Sequence, residues 1–121
     1  MLSVATKQEA DKVRLPYGDT DRLFKWEEKK KRVYFSACRV DDALEIHIAT
    51  ITGKKKLDKA LNEFCEAAFK HYGWCRKIVG LTIFPRLIEL GKRNKFKVVG
   101  GKNINWNGQE AWLTMLERVK Q

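Results

Sequence analysis

The 121-residue chain has no long apolar run. Its longest candidate, Ile78 to Phe84, is broken by Gly80 and Thr82 and falls far short of the about 20 residues a membrane-spanning helix needs. A secretory leader is not expected, because MLSVATKQEADKVR turns polar within five positions and offers no continuous apolar segment. Cysteine is scarce. Cys38, Cys65 and Cys75 form no metal-ligand spacing, even with His47 and His71 added. We therefore expect no metal, and reduced thiols in a cytoplasmic setting. The P-loop pattern is missing, as are the RRM, KH, zinc-finger and helix-turn-helix signatures.

What is present suits one folded unit, expected to span residues 1–121 as a single domain. Hydrophobic residues make up 44% of the chain, with four Trp, three Tyr and six Phe, enough for one modest core. Trp74 and Trp112 are expected in that core. Against 15 acidic residues stand 25 basic ones, a net charge of +10. Such an excess favours polyanionic partners: nucleic acid, anionic lipid or a phosphate-rich cofactor. It gathers at Lys29–Arg32, at Lys54–Lys56 and at Lys92, Arg93, Lys95 and Lys97, between stretches that look structured.

Periodicity gives the elements. A short helix is expected around Lys7 to Val13. Leu23, Phe24 and Trp26 suit a strand, Glu27 to Arg32 a hairpin connection, and Val33 to Val40 a second strand rich in β-branched and aromatic residues. Asp41–Asp42 signals a turn, after which Leu44, Ile46 and Ile48 alternate with Glu45, His47 and Ala49, as in a strand with one buried face. From Leu57 the apolar positions become 57, 60, 61, 64 and 68, the spacing of one helix face, and Gly73 ends that helix. A strand over about Cys75 to Leu81 follows. Thr82 and Pro85 suit the start of a helix from about Ile83 to Arg93. Phe96 to Val99 reads as a strand, Gly100–Gly101 and Asn103 to Gly108 as a turn-rich loop, and Gln109 to Leu116 as a last strand before a charged tail. The order predicts an α+β fold: a mixed, largely antiparallel sheet with a central β-α-β unit flanked by helices.

The strand ending in Ala49–Thr50–Ile51–Thr52–Gly53 opens into a helix whose first amide groups are unpaired. Lys54, Lys55, Lys56 and Lys59 add full charges there, a combination suited to a pyrophosphate. The run EIHIATITGKKKLDKALNEFCEAAF, followed by a strand and LIELGKRNKFKVVG, resembles the central and C-terminal part of the GNAT acetyltransferase superfamily. That resemblance covers roughly residues 33 to 116. It implies acetyl-CoA as cofactor, with the backbone of Ile48, Ala49 and Thr50 along the pantetheine arm and Gly53 to Lys59 around the pyrophosphate. It also sets Gly91 at the position where the family often keeps a tyrosine acid. A narrower likeness, carried by TGKKKLDKALNEF, RLIELGKRNKF and NGQEAWLTM, is to GNAT-like domains of small phage proteins, such as an internal virion protein of short-tailed phages.

Acetyl transfer needs a base for the amine proton and an acid for the departing thiolate. Glu45 and His47 lie two residues apart on one strand and share a face, so either can serve as the base. Tyr34, Cys38 and Tyr72 are candidate acids. Two other expectations stand beside the enzyme: a non-catalytic virion or assembly protein of this fold, and a basic nucleic-acid-binding protein using its tryptophans.

Overall fold

The computed structural model describes residues 1–50 and 57–121. Among them the order is β1 (Leu2–Val4), α1 (Lys7–Lys12), β2 (Arg22–Glu28), β3 (Lys31–Val40), β4 (Ala43–Ala49), α2 (Leu57–His71), β5 (Lys77–Thr82), α3 (Pro85–Arg93), β6 (Lys97–Trp106) and β7 (Gln109–Val119). The strands form one seven-stranded sheet in the order β1-β2-β3-β4-β5-β7-β6. Only β4 and β5 pair in parallel, and α2 is the crossover between them. The predicted α+β class with a central β-α-β unit is the observed one.

Strand alternation sorts the side chains onto two faces. Trp26, Val33, Phe35, Leu44, Ile46, Ile78 and Leu116 pack against the buried stripe of α2, Ala60, Leu61, Phe64, Cys65 and Ala68. Phe35 stacks on Phe64 with ring centroids 4.3 Å apart, and Phe24 meets the same ring edge-on at 5.6 Å. Such aromatic pairs add about 0.5–1.5 kcal/mol beyond the area they bury. The buried tryptophan is Trp26, whose indole N–H bonds Glu63. Trp112, expected in the core, is 55% exposed, and Trp74 is only half-buried beneath the Arg39 guanidinium, 4.2 Å from its ring centre.

The opposite face carries a smaller cluster. Ala5, Ala10, Leu15, Leu23 and Tyr34 pack there, with Ala49 against them. Helix α1 begins where Thr6 and Glu9 cap each other reciprocally, each side chain accepting the other's backbone N–H at 3.1 Å. The segment after it is fixed where the Ser36 hydroxyl donates to the Pro16 carbonyl at 2.6 Å.

Three local differences from the sequence expectations have plain causes. Helix α3 starts at Pro85, not Ile83, because a residue before proline avoids the helical region, and Phe84 is accordingly extended at φ −94°, ψ 119°. Thr82 instead accepts the Phe84 N–H at 3.0 Å. Residues 100–106 are strand, not loop: a Cβ on Gly101 would lie 2.5 Å from the Trp112 indole nitrogen, so this glycine admits an aromatic side chain across the ladder. The turn is confined to Asn107–Gly108, both at positive φ. Finally, β7 runs on through the expected charged tail to Val119 and buries Arg118.

Candidate functional site

The parallel ladder pairs Ala43 with Lys77, Leu44 with Ile78, Glu45 with Val79 and Ile46 with Gly80, and there it stops. Both strands continue. His47, Ile48 and Ala49 stay paired to β3, while Leu81 and Thr82 stay paired to β7. The carboxyl ends of two neighbouring strands are thus splayed, and backbone groups on their facing edges lack ladder partners. Unpaired N–H and C=O groups at a sheet opening are ready donors and acceptors for an extended ligand bearing amides.

An open groove of about 600 Å³ lies between the start of α2 and α3, walled by Leu57, Phe84, Pro85, Leu87 and Leu90 and lined as well by Arg86, Glu89 and Arg93. These residues were not among the sequence candidates. The signal they offered was Phe84, a bulky apolar residue at the N-cap just before Pro85. Leu90 and Gly91 turn to the core, Leu87 is half-buried, and Phe84 is left 53% exposed. Asp58 ties the two helices together. Its carboxylate accepts from Arg93 at 2.9 and 3.2 Å and from the Asn94 amide at 3.0 Å. The Arg93 guanidinium holds the Asp58 carboxyl below its ordinary range.

Glu45 and His47 share one face of β4, as the alternation predicts. Glu45 stands opposite Cys38 and His47 opposite Ser36, all on the face away from α2, with both candidates half-buried. His47 is the first residue of β4 beyond the ladder, so it borders the opening directly. Desolvation, with Asp21 and Glu45 nearby, pushes the Cys38 thiol up and keeps it protonated. Tyr34 lies under the α1 segment, next to Ala49. Tyr72 does not join them: it packs against Trp74 past the end of α2, at the opposite end of the sheet.

Of the cofactor candidates, Ile48 packs toward the α2 core and Ala49 toward the α1 cluster, and the Thr50 hydroxyl donates to the Arg32 carbonyl at 2.7 Å. The Lys59 ammonium is paired with Glu28 at the end of β2, which raises its pKa. Gly53, Lys54, Lys55 and Lys56 lie outside the described residues. Gly91 faces the core, where a Cβ would sit 3.1 Å from Leu116 and 3.4 Å from Phe96. A side chain at that position would meet the core before it could reach the splay.

The spermidine N-acetyltransferase of Vibrio cholerae, in complex with CoA and spermine, matches over 98% of this chain and 94% of its own, with TM-score 0.76 and 13% identity. A Bacillus subtilis acetyltransferase in complex with CoA matches over 100% of this chain and 97% of its own, at 0.72 and 15%. The chain has the GNAT acetyltransferase fold. An IAA acetyltransferase from Bacillus cereus shares this fold over 99% of both chains, with TM-score 0.74 and 13% identity. At such identities the likeness is one of fold. No protein-family model matches the chain, and no curated protein matches it by sequence. Within the described part of this GNAT fold, no helix is long and apolar enough to cross a membrane, and no group of three or more His, Cys, Asp or Glu side chains could hold a metal ion.

Proposed function

We propose that this chain, as one domain over residues 1–121, binds an acyl-CoA and transfers its acyl group, acetyl in the simplest case, to an amine. One observation carries the reading: the β4–β5 ladder ends at Ile46 and Gly80 while both strands run on. A pantetheine arm, with two amides in an extended chain, can bond the freed strand edges as another strand would. The groove beside α3 fits the same ligand, offering apolar walls from Phe84 and Leu87 and the Arg86 guanidinium for phosphate, while Arg93 is held by Asp58. Lys54, Lys55 and Lys56 precede α2 by a few residues and add charge suited to a pyrophosphate, with Gly53 beside them.

When bound, acetyl-CoA supplies the activated carbonyl carbon that the amine attacks. Glu45 or His47 takes the amine proton, both standing on the face from which an acceptor reaches the opening. The Cys38 thiol, half-buried and kept protonated opposite Glu45, is the acid candidate that remains, because Tyr34 is covered and Tyr72 is remote. Calorimetric titration with CoA tests the binding step. The wild-type chain should bind saturably, and Phe84→Ser should weaken binding about tenfold, since the exposed ring would be buried by ligand. No saturable heat with millimolar CoA would sink the reading.

A second reading has its own observation. Trp106 and Trp112, 49% and 55% exposed, stand on the β6–β7 arm with Lys97 and Lys102, an arrangement that can stack unpaired bases. Retention on a single-stranded nucleic acid that falls steeply with salt would support it, and flat salt dependence would remove it. The virion or assembly role gains nothing from the solved structures above, which are N-acetyltransferases and acetyltransferases.

A further inference from the structure

The Ser36 side chain is fully buried. It lies on the sheet face away from α2, directly between Leu23 on β2 and His47 on β4. A buried hydroxyl costs stability unless it is bonded, and alanine would fill the same place without that demand. The bond Ser36 makes is to the segment between α1 and β2, where its Oγ donates to the Pro16 carbonyl at 2.6 Å. Directly opposite side chains in an antiparallel pair have Cβ atoms about 5 Å apart, so the Pro16 carbonyl stands within roughly 10 Å of the His47 Cβ.

The rest of that segment is closed by its own bonds. The Asp21 carboxylate accepts the Gly18 N–H at 2.9 Å, and the Asp21 N–H donates to the Gly18 carbonyl at 3.1 Å. The Tyr17 hydroxyl donates to Asp11 on α1 at 2.7 Å. Asp21 in turn lies beside the Cys38 thiol. The segment thus meets β3 at Ser36 and Cys38, the two residues that stand opposite His47 and Glu45 across the β3–β4 ladder. A chain held at those two points walls the β3 side of the candidate bases, while the β4–β5 opening lies on the far side of His47.

We propose that Ser36 and Asp21 are positioning residues, which hold residues 16–21 as the wall against which an acceptor amine is set beside His47. That role rests on the acyl-transfer reading above, whereas the wall itself does not.

Alkylation of the full chain by iodoacetamide, followed by peptide mass spectrometry, tests the wall without any cofactor. Cys38 is half-buried while Cys65 and Cys75 are buried, so the two core thiols report global unfolding in the same sample. Ser36→Ala should speed Cys38 alkylation about three- to tenfold while Cys65 and Cys75 stay unreactive. Both Asp21→Ala and Asp21→Asn remove the charge, but the Asn amide oxygen still accepts the Gly18 N–H. A Cys38 rate about threefold or more higher in Asp21→Ala than in Asp21→Asn therefore reads that hydrogen bond alone. With acetyl-CoA as donor, and n-hexylamine and lysine methyl ester as acceptors, Ser36→Ala should raise the amine KM about fivefold or more and leave kcat and the CoA Kd within about twofold. A Cys38 rate unchanged in both Ser36→Ala and Asp21→Ala overturns the wall, and so does a rise shared by all three cysteines. A fall in kcat at unchanged KM overturns the positioning role. Wild-type protein that binds no CoA and acetylates neither amine defeats the acyl-transfer reading instead, and the alkylation rates still decide the wall.

Discussion

The two ends of the parallel pair β4–β5 are built alike and behave differently. Over Ala43–Ile46 and Lys77–Gly80 the strands share a ladder, with Leu44 and Ile78 buried against α2. The chain closes that end further where the Arg76 N–H bonds the Asp42 carbonyl and the Lys120 N–H bonds the Arg76 carbonyl, both at 2.8 Å. A few residues on, the same strands part, each following its outer neighbour. Composition does not separate the two ends, since both are short aliphatic stretches. Their surroundings do. The closed end is pinned by core and backbone, while sheet twist carries the free ends apart because β4 is committed to β3 and β5 to β7. Stability and candidate chemistry are thereby assigned to opposite ends of the same two strands.

That assignment can be broken most decisively at the closed end. Ile78→Ala removes a fully buried side chain and should cost about 2–5 kcal/mol in denaturant unfolding; a loss well below about 1 kcal/mol would show that this end does not anchor the fold. At His47, the first residue past the ladder, and at Glu45 on the same face just inside it, the effect should fall on turnover instead. Whichever of Glu45→Gln and His47→Ala removes the base should lower acetyl transfer about 10²-fold or more, with unfolding free energy shifted by under about 1 kcal/mol. Unchanged turnover in both variants would take these residues out of the reaction.

Two smaller effects concern the junction of α2 and α3. Lys95 holds φ 69° just past α3, where the Phe96 N–H closes on the Gly91 carbonyl at 2.9 Å. Glycine is at ease in that left-handed position and lysine is not, so Lys95→Gly should raise stability by about 1 kcal/mol in the same unfolding measurement. The Asp58–Arg93 pair should contribute least, because both side chains are more than half exposed and screened by solvent. Its sign is still defined. The folded carboxyl titrates below its ordinary 3.8, so the contribution is present above that pH and is lost as pH falls below it. The melting-temperature gap between wild type and Asp58→Asn should accordingly close on acidification; a gap that widened would contradict the assignment.

Much of the fold was legible in the sequence, for an identifiable reason. Apolar spacing at 57, 60, 61, 64 and 68 marks a helix face wherever that helix ends up, and four of those five positions are buried as the spacing predicts. The alternation over residues 44–49 likewise placed Glu45 and His47 on one face before any neighbour was known. Where a residue's role depended on a partner distant in sequence, the reading failed. Gly101 looked like a turn residue until Trp112 lay across it. Arg118 looked like part of a solvated tail until β7 paired with β5 and buried it beside Asn62 and Asn94.

The sequence by itself determined most of the elements and their order, because those follow from local periodicity and capping chemistry along a few turns of chain; the short β1 and the strand over residues 100–106 were not among the expectations. Only the tertiary structure decided where the parallel ladder ends, which helices frame the groove and that Arg118 is buried. Each of these depends on register and packing between segments tens of residues apart, and no local pattern encodes them.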